Sequence, residues 1–338
     1  MADVQNRVPD AGVWLRVEAA ASAAAVRRTA ERLAEQVALP ATRIAHLAIV
    51  ASEITSNLVK HAEQGIVLVR PVRNEHYAGV ELIAADHGPG MADVQRSFGD
   101  GHSTAGTLGI GLGSIARQSG WYDVYSLPGR GTVLAVQVWP ASAPELSWAC
   151  GVVRPISGGT VSGDAWAARC VDGRRQVLLC DGLGHGPLAA AAAQRAVGVF
   201  HQAPAEAPDD LVRRLHRELE QTRGAALAVA ELDAAAALVR YAGLGDIAGV
   251  VVGPDGTRRS MVSLPGTAGD NAPLIRQYDY PLACGAAVVL HSDGVTSRWS
   301  PADYPGLFDH APQVIAATLL RDAGTRRDDA GVAVAHTA

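Results

Sequence analysis

Acidic side chains follow apolar runs at several separate places in the second half of the chain. The run Val177–Cys180 ends at Asp181, and the glycine-rich turn 182–186 then opens an alanine-rich helix. Three further acidic positions lie beside small residues in the same way: Asp164 in Ser-Gly-Asp, Asp293 in Ser-Asp-Gly, and Asp328-Asp329 before the last apolar run. Asp181 alone would be equally well explained as the cap of the following helix. Because Mg²⁺ and Mn²⁺ prefer carboxylate oxygens and tolerate bound waters, the repeated setting favours a divalent-metal site.

A second group of polar residues lies in the first half of the chain. Glu53 and Asn57 are four residues apart in a predicted helix, so both face one side of it, next to its buried stripe. A solvated polar face is the alternative explanation, but the helix is otherwise apolar around them. Asp86 ends an apolar run before a glycine turn. The glycines of two turns complete the group: Gly88 and Gly90 after Asp86, and Gly109, Gly111 and Gly113 before a helix whose first amides can bind phosphate.

Hydrophobic spacing predicts the elements that carry this second group. Helices are expected near residues 21–38 and 42–62. The buried stripe of the second helix consists of Leu47, Ala51, Ile54 and Leu58. Strands are expected near residues 13–17, 65–72, 79–85, 122–126 and 132–139. The stretch Pro140–Pro144 has the composition of a linker and marks the domain boundary.

The second half of the chain predicts a larger set of strands. They are expected near residues 147–154, 162–171, 175–180, 226–231, 236–242, 247–252, 258–263, 286–291 and 332–335. Helices are expected near residues 187–201, 208–221 and 311–320. Mostly antiparallel strands with helices outside them would form a two-sheet sandwich layered by helices, which is an α/β (α+β) architecture.

The overall composition is that of an ordinary globular protein. The 338 residues are 48% hydrophobic and 19% charged, with a net charge of −5 and no basic patch, which argues against nucleic acid and membrane surfaces as partners. No apolar run approaches the ~20 residues of a membrane span, and Met1–Gln5 does not begin a signal peptide. The four cysteines are scattered without a C-x-x-C pair, so reduced thiols are expected. These features predict a cytoplasmic protein of about two domains.

The acidic motifs of the second half resemble a known enzyme class. Ser-Gly-Asp at 162–164, Asp-Gly-Leu-Gly-His-Gly at 181–186, Ser-Asp-Gly at 292–294 and Asp-Asp at 328–329 occur in the order of the metal-dependent serine/threonine phosphatases of the type-2C class. Residues 145–338 are similar to the bacterial SpoIIE-like branch of that class, and the phrase Arg223-Gly224-Ala225-Ala226 to its RsbX-like members. The resemblance implies a phosphatase domain with an α-β-β-α sandwich.

This resemblance also implies a two-metal site. Its Mn²⁺ or Mg²⁺ ligands would be Asp164, Asp181, Asp293, Asp328 and the carbonyl of Gly182. Asp181 and Asp293 would be central to catalysis, in which the ions activate a water against a phosphoserine or phosphothreonine. Asp328 matches the family position better than Asp329. His185 stays open between a proton donor to the leaving oxygen and a structural loop residue, and Gly243–Asp246 departs from the family pattern.

The polar group of the first half resembles a different family. The motifs E-x-x-x-N from Glu53, D-x-G-x-G from Asp86, G-x-G-x-G from Gly109 and Gly-Arg-Gly-Thr at 129–132 occur in the order of the GHKL ATPases, whose domain is the Bergerat fold. The resemblance covers roughly residues 10–140 of a first domain assigned to residues 1–140. Its size and the segment 101–106 are similar to the RsbT-like serine/threonine switch kinases, of the anti-sigma-factor kinase type.

The second resemblance implies that this domain binds ATP or ADP with Mg²⁺. Asn57 would bind Mg²⁺, Asp86 would accept a hydrogen bond from the adenine amino group, and Glu53 would orient or deprotonate the acceptor hydroxyl. The nucleotide and its lid would be lined by Gly88, Gly90, Gly109, Gly111 and Gly113, with Thr132 near the adenine.

Together the two resemblances predict a kinase and an opposing phosphatase fused in one chain. The expected substrate is a STAS-domain protein of the RsbS or anti-anti-sigma kind, within a network that regulates a sigma factor or a stress response. Two alternatives stay open. The first half could bind nucleotide and a partner without transferring phosphate, or the phosphatase could act on a small molecule.

Overall fold

A computed structural model of the chain describes residues 5–7, 12–74, 76–94, 111–141 and 147–337. The chain divides into two compact units, Pro9–Leu146 and Ser147–Ala338, and the second unit also includes Met1–Val8. The first strand, β1 (Gln5–Arg7), pairs with a strand of the second unit, whereas the sequence assigned residues 1–140 to the first domain. A strand of 3 residues is too short to show a hydrophobic period, so spacing gave no signal for this pairing.

The first unit is a five-stranded antiparallel sheet with helices on one face. Its elements are β2 (Val13–Arg16), α1 (Ala20–Gln36), α2 (Ala41–His61), β3 (Ile66–Arg73), β4 (Ala78–Ala85), α3 (Gly111–Gln118), β5 (Trp121–Leu127) and β6 (Gly131–Val138). The strand order is β2-β3-β4-β6-β5. The predicted stripe of Leu47, Ala51, Ile54 and Leu58 is buried and packs in one core with Val69, Leu82 and Val136 of the sheet.

The second unit contains most of the strands. Its elements are β7 (Ala149–Arg154), β8 (Asp164–Val171), β9 (Arg174–Gly182), α4 (Pro187–Gln202), α5 (Pro208–Glu218), β10 (Ala225–Asp233), β11 (Leu238–Leu244), β12 (Ala248–Val252), β13 (Arg258–Met261), β14 (Ser263–Leu264), β15 (Tyr278–Pro281), β16 (Ala287–His291), α6 (Pro312–Ala323) and β17 (Ala330–His336). Two 3-10 turns, Pro301–Asp303 and Leu307–Asp309, precede α6. Each of the three helices begins with proline, which suits the first helical position because its missing N–H has no partner there.

These elements form two stacked sheets between layers of helices. One sheet has the order β1-β8-β9-β10-β11-β14 with β15 on β11, and the other has the order β13-β12-β16-β17-β7. Trp166, Leu179 and Tyr241 of the first sheet share a buried core with Leu290 and Ala333 of the second. The outer face of the first sheet packs against α4 and α5, and α6 packs against β7 and β17. The predicted two-sheet sandwich with outer helices is therefore confirmed.

The four cysteines all lie in the second unit. All four are free thiols, and Cys150 and Cys180 lie in the core as predicted for reduced core thiols, but Cys170 is only half-buried and Cys284 is exposed. Within the described ranges, no helix has the length and apolar character needed to cross a membrane.

Candidate functional site

Antiparallel pairing brings two of the predicted metal ligands together. Asp164 is the first residue of β8, and it lies directly opposite Asp181 near the end of β9. The N–H of Gly182 donates to the carbonyl of Gly163 at 3.1 Å, which continues the pairing past the two acids. A Cβ on Gly182 would lie 2.2 Å from the carbonyl oxygen of Ala189, so only glycine lets α4 approach this closely. Asp164, Asp181 and Gly182 therefore lie together at one end of two paired strands.

The other two predicted ligands lie at strand ends of the second sheet. Ser292 and Asp293 follow the end of β16, and Ser292 N–H donates to the carbonyl of Gly331 in β17 at 3.1 Å. A Cβ on Gly294 would lie 1.8 Å from the carbonyl oxygen of Asp329, so this turn packs directly on the 328–329 segment. Asp293 and Asp328 are consequently held on adjacent stretches of backbone.

A serine hydroxyl joins the two sheets at this point. Ser292 Oγ donates to Asp164 Oδ2 at 2.6 Å and accepts from Gly331 N at 2.9 Å. All three residues belong to the second unit, and the bond spans 128 positions of sequence. It fixes the Asp164 carboxylate relative to the strand that leads to Asp293.

The two neighbouring acids Asp328 and Asp329 have different surroundings. Asp329 is 2% exposed, and its carboxylate oxygens accept hydrogen bonds from Ile156 N and Gly163 N, both at 2.6 Å. This carboxylate therefore anchors the loop that leads into Asp164. Asp328 is only half-buried, and its Oδ1 accepts a single hydrogen bond, from Asp329 N at 2.9 Å. Asp328 is thus the acid of the pair that retains oxygens able to take a cation.

The carboxylates perturb one another strongly. Burial, opposed by the Ser292 hydrogen bond and reinforced by the charge of Asp329, raises the pKa of Asp164 to about 7. Burial and the charges of Asp164 and Asp293 raise the pKa of Asp181 to about 9. Burial, together with the charge of Asp328, also raises the pKa of Asp293. Without added positive charge, Asp181 therefore keeps its proton at neutral pH, and Asp164 is about half protonated there.

The donor set fits a hard divalent cation. Asp164 Oδ1 is buried and has no hydrogen-bond partner, so one oxygen is left for a ligand or its water. Among the described residues, no ion pair neutralises Asp164, Asp181 or Asp293. In the same part of the chain, no three acidic, histidine or cysteine side chains are already grouped closely enough to hold an ion. The donors therefore lie at neighbouring strand ends rather than prearranged around a single ion.

The first unit contains the predicted nucleotide residues Asp86 and Thr132. Asp86 follows β4, is 9% exposed, and its N–H donates to the carbonyl of Thr132 at 3.0 Å. Its Oδ1 accepts from Gly88 N at 2.7 Å, which shapes the turn after the strand. Ser126 Oγ is 2.9 Å from Thr132 Oγ1 and accepts from Met91 N at 2.8 Å. The turn after β4 is thus tied to the β5–β6 hairpin.

Two glycines allow the turn after β4 to approach the β5–β6 hairpin closely. Gly90 has a φ of +67°, and a Cβ there would lie 2.0 Å from the carbonyl oxygen of Leu127. Gly131 has a φ of +82°, and a Cβ there would lie 2.0 Å from the carbonyl oxygen of Asp86. Both the left-handed backbone and the contact exclude larger residues.

The remaining predicted residues lie on the helices of this unit. Glu53 and Asn57 are both half-buried on α2, one turn apart. Gly111 begins α3 and Gly113 is buried within it, and α3 packs against α2. Gly109 and the phrase 101–106 lie outside the described residues.

Several residues of these sites were given no role by the sequence. Ser292 and Asp329 adjoin predicted ligands, but their partners are distant in sequence. Ser126 lies in a strand of unremarkable pattern. Asp246, in the segment that departs from the family pattern, adds a negative charge that contributes to the raised pKa of Asp293. His185 is exposed, and its role stays a prediction.

Comparison with known proteins matches both halves of the chain. Residues 171–337 match the family Stage II sporulation protein E, and residues 17–137 match the histidine kinase-like ATPase domain. The chain is 29% identical over 115 residues to the serine/threonine-protein kinase RsbT of Bacillus subtilis (strain 168). That match covers 34% of this chain and 86% of RsbT.

Solved structures also resemble the chain. A structure described as the bacterial stressosome, a modular system adapted to control secondary messenger signaling, is 27% identical with a TM-score of 0.52. The match covers 56% of this chain and 98% of that one. A crystal structure of RsbX in complex with magnesium matches at 16% identity and a TM-score of 0.49, over 55% of this chain and 92% of its own.

Proposed function

Because the chain joins a histidine kinase-like ATPase domain to a phosphatase domain of the SpoIIE family, as its motifs predicted, we propose that it adds and removes the same phosphoryl group. The proposed substrate is a serine or threonine of a STAS-domain protein of the RsbS or anti-anti-sigma kind, in a cytoplasmic partner-switching network. The likeness of the chain to RsbT and to a stressosome structure supports this class of substrate.

One observation carries the phosphatase half of the proposal, namely the opposed pair Asp164 and Asp181 with Asp293 nearby. Their raised pKa values mean that divalent cations would compete with protons for these oxygens. We assign Mn²⁺ or Mg²⁺ to Asp164, Asp181, Asp293, Asp328 and the Gly182 carbonyl. Bound there, the ions would supply positive charge for the phosphoryl group and lower the pKa of an attacking water.

The protein residues have separate tasks in this site. Asp181 and Asp293 hold the negative charge that binds the ions. Ser292 orients Asp164 through its 2.6 Å hydrogen bond, and Asp329 holds the loop that carries Gly163. These contacts keep the carboxylates in place before substrate arrives, which is how second-layer hydrogen bonds support a metal site.

The kinase half of the proposal is supported by the turn that joins Asp86 to Thr132. The buried Asp86 carboxylate suits an adenine amino donor, and Asn57 supplies a neutral oxygen suited to Mg²⁺. Glu53 lies one helical turn before Asn57, where it would orient the acceptor hydroxyl. Phosphoryl transfer depends on such charge neutralisation and alignment more than on covalent chemistry.

The proposal is tested with purified protein, labelled ATP and candidate STAS proteins, with and without Mn²⁺. Label should enter the partner in ATP and Mg²⁺, and leave a pre-phosphorylated partner when Mn²⁺ is present. Asp181→Asn should block only the loss of label, and Glu53→Ala only its entry. Nucleotide binding with no transfer to any partner would make the first domain a binding module. Release of phosphate only from small molecules would overturn the protein substrate.

A further inference from the structure

Backbone pairing holds Arg223 beside the glycine-rich loop of the phosphatase site. In the pairing of β10 with β9, Ala225 lies opposite Gly182, and Leu183 N donates to the carbonyl of Gly224 at 3.0 Å. The next position along the chain, Arg223, therefore continues this pairing toward Gly184. Arg223 is two residues before β10, and Gly184 is three residues after Asp181.

The side chain of Arg223 reaches over this loop. A Cβ built on Gly184 would lie 3.2 Å from Arg223 Nη1, with no other heavy atom within 4 Å apart from its own chain neighbours. Gly184 has a φ of +81°, and its missing side chain leaves the guanidinium facing the loop backbone. Arg223 is exposed, and among the described residues nothing forms an ion pair or hydrogen bond with it.

The backbone that carries Arg223 is held from both sides. Gly224 has a φ of +81°, and a Cβ there would lie 2.7 Å from the carbonyl oxygen of Ala268. Ala225 and Ala268 exchange hydrogen bonds of 3.0 Å and 2.8 Å, and the Leu183 contact lies on the other side. The guanidinium is thus attached to a fixed turn, and within the described ranges no side chain or carbonyl binds it.

The acidic residues of the phosphatase site and the phosphoryl group of a substrate are all negatively charged, so a nearby guanidinium would stabilise the bound substrate. Asp164, Asp181, Asp293 and Asp246 are all acidic, and a phosphoryl group brings further negative charge. Ions bound by the carboxylates would neutralise one side of that group only. A guanidinium presents two N–H donors in the geometry of two phosphate oxygens, and it stays charged at every relevant pH.

We propose that Arg223 binds the phosphoryl group of the substrate and orients it toward the carboxylate site. The proposal rests on the phosphatase function proposed above and names a phosphate-binding residue for it. Arg223 is then an exposed substrate-binding residue beside the loop that follows Asp181. The interaction is with the phosphoryl oxygens themselves, so it is the same for a phosphoprotein and for a small phosphate ester.

The test compares Arg223→Gln and Arg223→Lys with Arg259→Gln, a matched control that removes an exposed arginine from β13. For Arg223→Gln, KM should rise about 10- to 100-fold for both a phosphorylated STAS partner and p-nitrophenyl phosphate, the equivalent of a charged hydrogen bond. The inhibition constant of inorganic phosphate should rise in parallel. Arg223→Lys should recover part of the loss, and Arg259→Gln should match the wild type.

Binding measurements separate this role from a structural one. Calorimetric Mn²⁺ affinity and thermal unfolding without ligand should be unchanged in Arg223→Gln, while stabilisation by inorganic phosphate in the presence of Mg²⁺ should be lost. Unchanged phosphate binding and KM would overturn the proposal, and so would a KM increase confined to the phosphoprotein. If wild type dephosphorylates nothing, the proposed function fails, but phosphate stabilisation that depends on Arg223 would still support the binding role.

Discussion

Asp164 and Asp181 lie directly opposite one another on paired strands, and within the described chain neither has a cationic partner. Burial disfavours the charged form of each acid and the charge of Asp164 adds to this effect on Asp181, so both favour their protonated forms when no metal is bound. The pKa of Asp164 is raised to about 7 and that of Asp181 to about 9, burial being the larger cause for both. The arrangement is costly for a metal-free protein and suited to one that binds cations.

This pair makes the metal-free stability depend on pH. In the unfolded chain both carboxyls ionise near pH 4, so the folded protein holds more protons than the unfolded chain from there up to the raised values. The free energy of unfolding in EDTA should therefore fall as pH rises from about 4 to 9. At a pH above the pKa of a carboxyl in both the unfolded and the folded state, each unit by which folding raises that pKa lowers the free energy of unfolding by about 1.4 kcal/mol. Urea unfolding at several pH values measures the slope.

Asp181→Asn provides the control for this pH dependence. It removes one of the two repelling charges, so it should flatten the slope and leave metal-free stability at pH 8 equal to or above that of the wild type. The same variant should lose Mn²⁺-dependent dephosphorylation, and so should Asp293→Asn. If the pH slope of the free energy of unfolding is unchanged in Asp181→Asn, the raised pKa values of the pair do not cause it. If this variant dephosphorylates its substrate as fast as the wild type, Asp181 is not a metal ligand.

Asp328 and Asp329 should respond differently to the same change. Asp329→Asn replaces one of two acceptor oxygens with an N–H donor facing a backbone N–H, so it should cost about 1–3 kcal/mol of stability. Asp328→Asn should leave stability unchanged and weaken Mn²⁺ binding. Thermal unfolding and Mn²⁺ calorimetry of both variants make the comparison, and reversed results would exchange the two assignments.

Much of the fold could be predicted because the buried apolar residues recur in the sequence with the regular periods of helices and strands. Helix α2 has an unbroken 3.6-residue stripe, and its bounds, Ala41–His61, match the prediction to within a residue or so. The ends of the strands were predicted less accurately, because hydrogen-bonded pairing with a neighbouring strand decides where a strand ends. Strand β9 runs to Gly182 rather than Cys180, because Asp181 and Gly182 pair across to Ala226 and Ala225.

The contacts between distant segments could not be predicted from periodicity. Motif spacing identified Asp164 and Asp293, but nothing in it shows that Ser292 donates to Asp164 across 128 positions. Asp329 has the same side chain as Asp328, and only the backbone amides around it distinguish the two. β15 was missed because it has only 4 residues, ends in Pro281 and lies at an edge of the sheet.

Gly131 should be essential to the turn after β4, which carries Asp86 and is the predicted nucleotide site. Gly131→Ala places a Cβ 2.0 Å from the carbonyl oxygen of Asp86, so Asp86 must move away from Thr132. Nucleotide affinity should fall about tenfold or more, as expected for loss of a hydrogen bond to a charged group. Gly129→Ala is the matched control, because its φ of +74° is equally left-handed but no atom lies within 4 Å. Equal ATP affinity for the two variants, by calorimetry, would contradict the contact argument.

Glu53 and Asn57 should separate transfer from binding. Asn57→Ala removes the predicted Mg²⁺ ligand and should abolish Mg²⁺-ATP binding. Glu53→Ala should retain nucleotide binding and lower phosphoryl transfer about 10²- to 10⁴-fold, the usual range for a general base. Glu53→Gln, which keeps the size of the side chain, should behave like Glu53→Ala. Loss of nucleotide binding in Glu53→Ala would reverse the two roles.

The proposed pairing of a kinase and a phosphatase in one chain predicts how far the partner is phosphorylated. Only residues 139–148 separate β6 from β7, so if one partner binds both domains, binding to either would present it to the other at a high effective concentration. With ATP, Mg²⁺ and Mn²⁺, wild type should therefore hold the STAS partner only partly phosphorylated at steady state. Asp181→Asn should drive it to nearly full phosphorylation and Glu53→Ala should leave it unmodified, as read by intact-mass spectrometry. Deleting Met1–Val8 and cleaving the chain within 142–146, which together detach Pro9–Leu146 from the second unit, should slow the cycle at low partner concentration. If the two domains modify different residues of the partner, the activities do not oppose each other.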